Sequence, residues 1–400
     1  MDPAVTQLHA APGNPGIAAI ADVHPIAPAD PGEVTALASK IGADLVVIGP
    51  EAPLVAGVAD AVRAAGIRCF GPGQDAAMIE GSKSFAKQVM IAAGIPTASA
   101  RTCCTEPEAA AALEEFGPPY VVKADGLAAG KGVVVTADRR EALRHAASCG
   151  TAVIEEFLDG PEVSVFALAD GRTAVPLLPA QDYKRAHDGD AGPNTGGMGA
   201  YTPLGWAPED LADQTLATVV QPVLAELARR GLPYSGLLYA GLCLTSSGLR
   251  VVEFNARFGD PETQVVLDRL GTPLAGLLDA AAAGDLAAAG PLAWLPGAAV
   301  TIVIAAEGYP AAPVPGDRIE GLDEAGLVSG SYVLQAGTAA DRAGQLVASG
   351  GRVLNIVGRG ADLASARATA YRAAGKIRMR GGWYRRDIAA GPAPGTRAEA

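Results

Sequence analysis

The stretch Val251-Val-Glu-Phe-Asn-Ala-Arg-Phe-Gly-Asp-Pro-Glu262 carries the sharpest pattern in this chain. On a strand, successive side chains point to opposite faces of the sheet, so Glu253, Asn255 and Arg257 are predicted to share one face. The apolar residues predicted on the opposite, core-facing side are Val252, Phe254, Ala256 and Phe258. A carboxylate and an amide oxygen suit Mg²⁺ shared with substrate phosphates, and an arginine can hold a phosphoryl group bidentately. A solvent-facing edge strand would show the same alternation.

The Asp260-Pro261 pair near the end of this stretch predicts the start of a helix. Asp260 has the residue type of an N-cap and Pro261 that of a first helical position, for a helix that runs through Leu270. Capping and contact with a ligand do not exclude each other at Asp260.

A glycine-rich run, KADGLAAGKG at residues 123–132, precedes the strand-like VVVT. A Walker A loop needs four residues between its first glycine and Gly-Lys, followed by Ser or Thr and a helix. Here three residues separate Gly126 from Gly130-Lys131, and Gly132 comes next, so a P-loop NTPase is excluded. The run predicts a turn between two strands whose amides cover phosphate oxygens while Lys123 and Lys131 supply positive charge. An ordinary hairpin turn with solvated lysines is the alternative.

Lysine is scarce, with seven lysines among 31 basic residues, and four of the seven lie in motif-like positions: Lys83, Lys123, Lys131 and Lys184. Ser82 is a predicted N-cap for a helix from Lys83 to Ala93, with Gly94 after it. A lysine at a helix N-terminus makes a good anion site, although a solvated lysine would fit the same pattern.

Two weaker motifs are also candidates for ligand contact. Glu155-Glu156-Phe157-Leu158, with Glu162, could frame a nucleoside through backbone groups for a base and Glu162 for ribose hydroxyls, although acids at a strand end are often merely solvated. Residues 181–185 and 193–200 form a long stretch rich in glycine and polar residues, and loops of that length are either functional or disordered.

Composition limits the possible partners. The net charge of −12 in 400 residues argues against nucleic acid and anionic membranes. The five cysteines lack zinc-site spacing, so we expect reduced thiols. The longest apolar run, residues 298–306, is too short to span a bilayer, and the first residues do not resemble a signal peptide. We therefore expect a cytoplasmic protein.

The order of segments predicts a multidomain protein of the α/β and α+β classes. Strands and helices alternate over residues 43–116 with Gly and Pro at the strand ends, as in an open parallel sheet. A small α+β lobe is expected from Tyr120 onward, and a separate C-terminal domain beyond Gly297. Gly71–Ala76 imitates a dinucleotide fingerprint, but Pro72 removes an amide, so we reject NAD binding.

Ten segments in the same order resemble the phosphoribosylamine–glycine ligase family of ATP-grasp enzymes. They are APGN (11–14), GPEAPL (49–54), EGSKSFAK (80–87), VVKADGLAAGKGVVV (121–135), EEFLDGPEVS (155–164), QDYKR (181–185), GPNTGGMGAY (192–201), GLLYAGL (236–242), EFNARFGDPETQ (253–264) and RRDI (385–388). The resemblance implies ATP-dependent phosphorylation of glycine to glycyl phosphate, from which the amine of 5-phosphoribosylamine displaces phosphate.

The resemblance also implies a role for each candidate residue. The implied ATP-binding residues are Lys83, Lys123, Gly126, Gly130, Lys131, Gly132, Glu155, Glu156, Phe157, Leu158 and Glu162, and the implied Mg²⁺ (or Mn²⁺) ligands are Glu253 and Asn255. The implied catalytic residues are Arg257, Lys123 and Asp182. Residues implied near glycine and the acyl phosphate are Asp182, Lys184, Arg185, Asn194, Thr195, Gly196, Gly197 and Met198. Gly13, Asn14, Gly49, Pro50 and Glu51 are implied near phosphoribosylamine, and Asp260 near a substrate.

The implied architecture is a truncated Rossmann-like, pre-ATP-grasp domain (1–78), an ATP-grasp core (79–296) with an inserted lobe at about 98–160, a mixed α/β C-terminal domain (297–389) and a tail (390–400). Family members begin with a strand, a G-G-R-E-H-like turn and a helix before the position of Asp2, and we expect this chain to lack that unit. Another ATP-grasp carboxylate–amine ligase and a nucleotide-binding remnant stay open as alternatives. We expect a monomer.

Overall fold

The computed structural model describes residues 2–127 and 132–391. Gly130, Lys131 and most of the predicted tail lie outside the described residues. In the N-terminal segment, parallel pairing is confirmed: His9–Ala10 pairs with Asp22–Val23, and Leu45–Val47 pairs with Arg68–Phe70. These pairs form two separate two-stranded sheets. The helices of this segment are Pro15–Ala18, Pro31–Ile41, Glu51–Val55, Val58–Ala64 and Gln74–Gly81.

The predicted helix after Ser82 is confirmed over Lys83–Ala92. The Ser82 hydroxyl accepts a hydrogen bond from the Phe85 amide, and Gly94 takes a left-handed φ of +66° just beyond the helix. Val89 and Met90 are fully buried, so the amphipathic stripe seen in the sequence packs this helix on the core.

The predicted small lobe is also confirmed as an α+β unit. Its antiparallel sheet has the strand order Ala100–Cys103, Ala152–Glu155, Tyr120–Ala124 and Val133–Thr136. Its helices are Glu106–Phe116 and Arg139–Ser148. Leu113 and Ile154 lie in a hydrophobic cluster of the lobe's own, so the lobe has a small core separate from that of the main body.

A four-stranded antiparallel sheet forms the floor of the core. Its strand order is Ala174–Pro176, Glu162–Asp170, Ser235–Thr245 and Gly248–Asn255. The last strand has a bulge: Gly241 pairs with Glu253, whereas Leu242 pairs with Val251. The extra residue breaks the simple alternation, so Val251 is buried and Val252 instead lines a pocket. The predicted core position of Val252 is therefore wrong, and Arg257 lies beyond the end of the strand.

The second large sheet joins the predicted C-terminal domain to the core. Its order is Gln181–Asp182, Gly199–Thr202, Ala298–Ala305, Arg352–Gly360 and Ser331–Gln335. Strands from residues 181–202 thus continue directly into strands from the C-terminal segment. The helix Leu363–Ala374 packs on this sheet. Because the sheet is shared, the C-terminal segment is held to the core by main-chain hydrogen bonds.

The remaining elements connect these layers. The helices are Leu211–Thr215, a π-helical turn Leu216–Val220, Gln221–Arg229, Glu262–Arg269, Leu274–Ala283, the 3₁₀ turn Leu286–Ala289, and Leu322–Gly326. The short strand pairs are Arg185–His187 with Ala191–Asn194, Ile319–Glu320 with Arg378–Met379, and Thr338–Ala340 with Leu346–Ala348. Within residues 2–127 and 132–391, no helix has both the length and the apolar character needed to cross a bilayer.

Asn14 joins the N-terminal and C-terminal segments. Its side-chain oxygen caps the helix Pro15–Ala18 by accepting from the Ile17 amide at 2.8 Å. Its amide group donates to the carbonyls of Gln335 and Ala336, at 2.8 and 3.1 Å. Each polar atom of this side chain therefore has a partner inside the protein.

Replacing Asn14 by Ala should destabilise the chain by about 1–2 kcal/mol, because a helix cap is lost together with the link to the C-terminal segment. Replacing Asn14 by Asp keeps the capping oxygen but sets a carboxylate oxygen against the two carbonyls, so its loss should be at least as large. Chemical denaturation measures both changes. An Asn14→Ala protein as stable as the parent would contradict this role.

Candidate active site

A pocket of about 500 Å³ lies where the lobe, the four-stranded sheet and the N- and C-terminal segments meet. Most of the predicted site residues line it. They are Gly49, Pro50, Glu51, Lys83, Lys123, Gly126, Gly132, Glu155, Glu156, Phe157, Leu158, Glu162, Asp182, Lys184, Arg185, Asn194, Thr195, Gly196, Glu253, Asn255, Arg257 and Asp260. Residues far apart in the chain thus converge on one cavity.

Four predicted site residues within the described part of the chain do not line this pocket: Gly13, Asn14, Gly197 and Met198. Gly13 forms a left-handed turn at φ +79°, where a Cβ would lie 2.4 Å from a Val23 methyl carbon. Met198 is fully buried in the hydrophobic core. In the structure Gly13 forms a turn, Asn14 caps a helix and Met198 packs in the core. Their sequence motifs did not distinguish these roles from contact with a substrate.

A buried carboxylate organises the lobe side of the pocket. Glu155 is 3% exposed, and its oxygens lie 2.8 Å from the Lys123 ammonium and 3.2 Å from the Lys87 ammonium. Lys123 also donates to the carbonyl of Val252 at 3.1 Å. Burial lowers the pKa of Lys87 to about 8, against the opposing effect of Glu155. Burial acts on Lys123 in the same direction, but the Glu155 and Glu253 carboxylates outweigh it and raise the pKa of Lys123.

Sequence reasoning missed Lys87, although two signals could have identified it. It is one of only seven lysines, and it lies one helical turn after Lys83 on the same helix. Glu155, predicted near the nucleoside, does line the pocket, but its carboxylate is paired with two ammonium groups that the sequence did not reveal.

Replacing Glu155 by Gln removes the negative charge and keeps the size of the side chain. Two ammonium groups would then be buried without compensation, and we expect a loss of about 3–5 kcal/mol of stability, measured by chemical denaturation. The double variant Glu155→Gln with Lys87→Met removes one uncompensated charge and should be more stable than Glu155→Gln alone. A double variant that is less stable would contradict the assigned ion pairs.

The helix N-terminus at Lys83, which the sequence predicts as an anion site, holds a carboxylate from the lobe. The Asp125 carboxylate accepts from the Lys83 amide and from the Ser84 hydroxyl, each at 2.6 Å. Burial opposes the ionised form of Asp125, but these hydrogen bonds outweigh it and lower its pKa. The Lys83 ammonium donates to the carbonyls of Ala124 and Gly126, at 2.9 and 3.0 Å. Burial lowers the pKa of Lys83.

Arg257 is held between two carboxylates from the N-terminal segment. Its guanidinium lies 2.8 Å from a Glu51 oxygen and 3.2 Å from a Glu80 oxygen. Glu80 also accepts from the Ala256 amide at 2.7 Å. Burial raises the pKa of Glu80 to about 7, although Arg257 lowers it. Glu80, the first residue of the EGSKSFAK segment and not among the predicted site residues, therefore fixes the position of Arg257.

A second charged cluster lies around Lys184. Its ammonium is 2.6 Å from a Glu162 oxygen and 3.9 Å from a Glu253 oxygen. Burial raises the pKa of the neighbouring Asp182 carboxyl, with an opposing effect from Lys184 and a further rise from Glu262. Glu262 is itself buried, and it accepts from the Tyr239 hydroxyl at 2.7 Å. The ribose role predicted for Glu162 must therefore compete with its ion pair to Lys184.

Glu253 and Asn255 both line the pocket, as a shared metal site requires. Within residues 2–127 and 132–391, no cluster of three or more His, Cys, Asp or Glu side chains could hold a metal ion by itself. A divalent cation at Glu253 and Asn255 would need further oxygens, which nucleotide phosphates supply. No described residue hydrogen-bonds to the Asn255 side chain, so its amide oxygen is available. The residues present therefore fit a metal shared with a bound nucleotide.

Asp260 lines the pocket but does not cap the following helix, so the predicted cap is wrong. The helix is Glu262–Arg269, and the N-cap position falls on Pro261, which has no side-chain acceptor. The Asp260 carboxylate instead accepts from the side-chain amide of Gln264 at 2.8 Å and from the Arg352 guanidinium at 3.1 Å. Arg352, from the C-terminal segment, is another pocket residue that the sequence did not reveal.

Family models for the three domains of phosphoribosylglycinamide synthetase match this chain. The N domain matches residues 1–80, the ATP-grasp (A) domain residues 81–263 and the C domain residues 299–391. The chain belongs to the phosphoribosylglycinamide synthetase family. Its members are ATP-grasp ligases, and the recognition made from the ten sequence segments is confirmed.

Relatives and solved structures agree with this family. The chain is 60% identical to the phosphoribosylamine–glycine ligase of Streptomyces coelicolor, over 98% of this chain and 94% of that protein. It is 55% identical to the ligase of the same name from Mycobacterium tuberculosis, over 97% of this chain and 92% of that protein. The crystal structure of phosphoribosylamine–glycine ligase from Thermotoga maritima matches with a TM-score of 0.82 and 34% identity, over 96% and 94% of the two chains.

A more distant structure matches in fold alone. The biotin carboxylase domain of 2-oxoglutarate carboxylase from Hydrogenobacter thermophilus, solved with MgADP, ADP and bicarbonate, has a TM-score of 0.72 and 18% identity, over 94% and 86% of the two chains. The comparisons do not support the expected loss of a first strand–turn–helix unit.

Proposed function

We propose that this chain joins glycine to 5-phosphoribosylamine at the expense of ATP, giving glycinamide ribonucleotide, ADP and phosphate. The observation that carries the proposal is the single pocket in which Lys123, Glu253, Asn255 and Arg257 lie together with Asp182. A carboxylate can only be joined to an amine after it is activated, and phosphorylation by ATP is the activation that these residues suit.

We place ATP on the lobe side of the pocket. Lys83 and Lys123 line the pocket together with Gly126 and supply positive charge for the phosphates. The apolar residues available to pack against the base are Met90, Val121, Val135, Phe157 and Leu158. Because Glu155 holds the Lys123 ammonium in place, this charge needs little reorganisation when phosphate binds.

The chemistry has two steps. A carboxylate oxygen of glycine attacks the γ-phosphorus, which forms glycyl phosphate and releases ADP. The amine of phosphoribosylamine then attacks the acyl carbon, and phosphate leaves as the amide bond forms. Arg257, fixed by Glu51 and Glu80, stabilises the phosphoryl group as it transfers. We assign Asp182 to take up the proton that the attacking amine loses, since burial raises its pKa toward the working range of a general base.

We further propose that Glu253 and Asn255 hold Mg²⁺ together with the nucleotide, with Mn²⁺ as a possible substitute. The cation would neutralise charge on the phosphate oxygens. The domain limits given above, the monomeric state and the cytoplasmic location stay predictions.

The assay that tests the proposed reaction combines the purified chain with ATP and Mg²⁺, and adds glycine alone, phosphoribosylamine alone, or both. We expect phosphate release and glycinamide ribonucleotide, detected by mass, only when glycine and phosphoribosylamine are both present. Turnover with a different carboxylate–amine pair instead would identify another ATP-grasp ligase. ATP binding without any turnover would favour a nucleotide-binding remnant.

Replacing Glu253 by Gln should lower kcat by about 100-fold or more, since the proposed metal loses its charged ligand. The same change should raise the Mg²⁺ concentration needed for half-maximal rate. Glu320, an exposed residue paired with Arg318 and absent from the pocket lining, offers a matched Glu→Gln control that should keep parental kinetics. Unchanged turnover and Mg²⁺ dependence in Glu253→Gln would overturn the metal assignment.

A further inference from the structure

Arg352 connects the C-terminal segment to one wall of the pocket. It begins the strand Arg352–Gly360 and is one of the residues that line the cavity. One terminal nitrogen donates to the carbonyls of Gly196 and Asp260, at 2.5 and 2.6 Å. The other donates to the Asp260 carboxylate at 3.1 Å. One planar group thus holds two pocket segments that are more than sixty residues apart in the chain.

The turn at Gly196 and Gly197 has no room to move toward these partners. A Cβ on Gly196 would lie 2.9 Å from Arg352 Cζ, and a Cβ on Gly197 would lie 2.4 Å from Pro261 Cδ. On the C-terminal side, the Tyr309 hydroxyl accepts from the Gly196 amide at 3.0 Å. The turn is therefore fixed by close packing as well as by hydrogen bonds, and two of its partners come from the C-terminal segment.

The residues that Arg352 contacts are those for which the family resemblance implies substrate contact: Gly196 near glycine and the acyl phosphate, and Asp260 near a substrate. Gly196 and Asp260 are both pocket-lining, whereas neither lies among the residues to which we assign the nucleotide. Asn194 and Thr195, directly before the turn, line the same wall. A displacement of this turn would therefore alter the space for the carboxylate substrate before it alters the ATP site.

We propose that Arg352 is a positioning residue that sets the affinity for glycine by fixing the Gly196–Gly197 turn against Asp260. This inference rests on the function proposed above. The C-terminal segment thereby contributes to substrate binding, although Arg352 need not touch the substrate itself. Its planar fork suits two carbonyls and a carboxylate at once, which a lysine ammonium cannot reproduce.

The experiment compares Arg352→Gln, Arg352→Lys and a matched control. Arg359→Gln is the control because Arg359 lies on the same strand and pairs with Asp268, away from the main pocket. We expect Arg352→Gln to raise KM for glycine about tenfold or more while KM for ATP stays unchanged. The reason is that the Gly196–Gly197 turn loses the guanidinium that holds it against Asp260, so it no longer keeps its position. Arg352→Lys should recover part of the loss, and Arg359→Gln should keep the parental KM values.

A lower melting temperature in Arg352→Gln with an unchanged KM for glycine would overturn the proposal, since it would show a purely structural role. Equal rises in the KM values for glycine and ATP would overturn it as well. Amide hydrogen exchange at Gly196 and Gly197 gives a readout that does not need turnover. We expect exchange there to rise about tenfold in Arg352→Gln and not in Arg359→Gln.

The exchange measurement also separates this inference from the proposed ligase reaction. Absence of ligase turnover in the parental chain would overturn the proposed function, while raised exchange in Arg352→Gln would still support the positioning contact. If the parental chain is active as a ligase and the exchange at Gly196 and Gly197 is the same in Arg352→Gln as in the parental chain, the positioning role is overturned while the proposed function stands.

Discussion

The carboxylate of Glu155 lies between the ammonium groups of Lys87 and Lys123, and this buried ion cluster joins three parts of the molecule. Glu155 and Lys123 belong to strands of the lobe, Lys87 belongs to the helix Lys83–Ala92, and Lys123 reaches the main sheet through the Val252 carbonyl. Removing three charges from water is expensive, and their mutual attraction compensates only when the geometry is held closely. The lobe is therefore held to the main body at the point where the phosphates are proposed to bind. The same ion pairs that stabilise the fold also position the Lys123 charge for the nucleotide.

Local features of the fold could be predicted because their signals lie within a few residues. Ser82 and Gly94 mark the ends of one helix. The alternation of strand and helix before residue 117 predicts the parallel pairing that the N-terminal strands show. The errors arose where a distant partner decided the outcome. The bulge that turns Val252 toward the pocket depends on how this strand pairs with Gly241 and Leu242, and the Asn14 amide donates to carbonyls more than three hundred residues away. No local pattern contains either contact.

The candidate site shows the same division. Most predicted site residues with charged or polar side chains line the pocket. Resemblance to a family identifies such residues because it carries long-range information that composition and periodicity lack. Residues whose role is to hold other residues were missed: Glu80 beside Arg257, Lys87 beside Glu155, and Arg352 beside Asp260. Such supporting residues are ordinary in type and differ only in their neighbours, so their function becomes visible only when the chain is folded.

All three segments of the chain contribute residues to the lining of the pocket. The lobe and the four-stranded sheet hold the charges proposed for the nucleotide, yet Gly49, Pro50 and Glu51 come from the N-terminal segment and Arg352 comes from the C-terminal one. The shared five-stranded sheet fixes Arg352 relative to residues 199–202, just beyond the Gly196–Gly197 turn that it contacts. Because Glu51 from one flank orients Arg257 and Arg352 from the other orients Asp260, the ATP-grasp segment alone cannot complete this pocket. An enzyme that must keep an acyl phosphate in place until an amine attacks benefits from walls supplied by every segment of the chain.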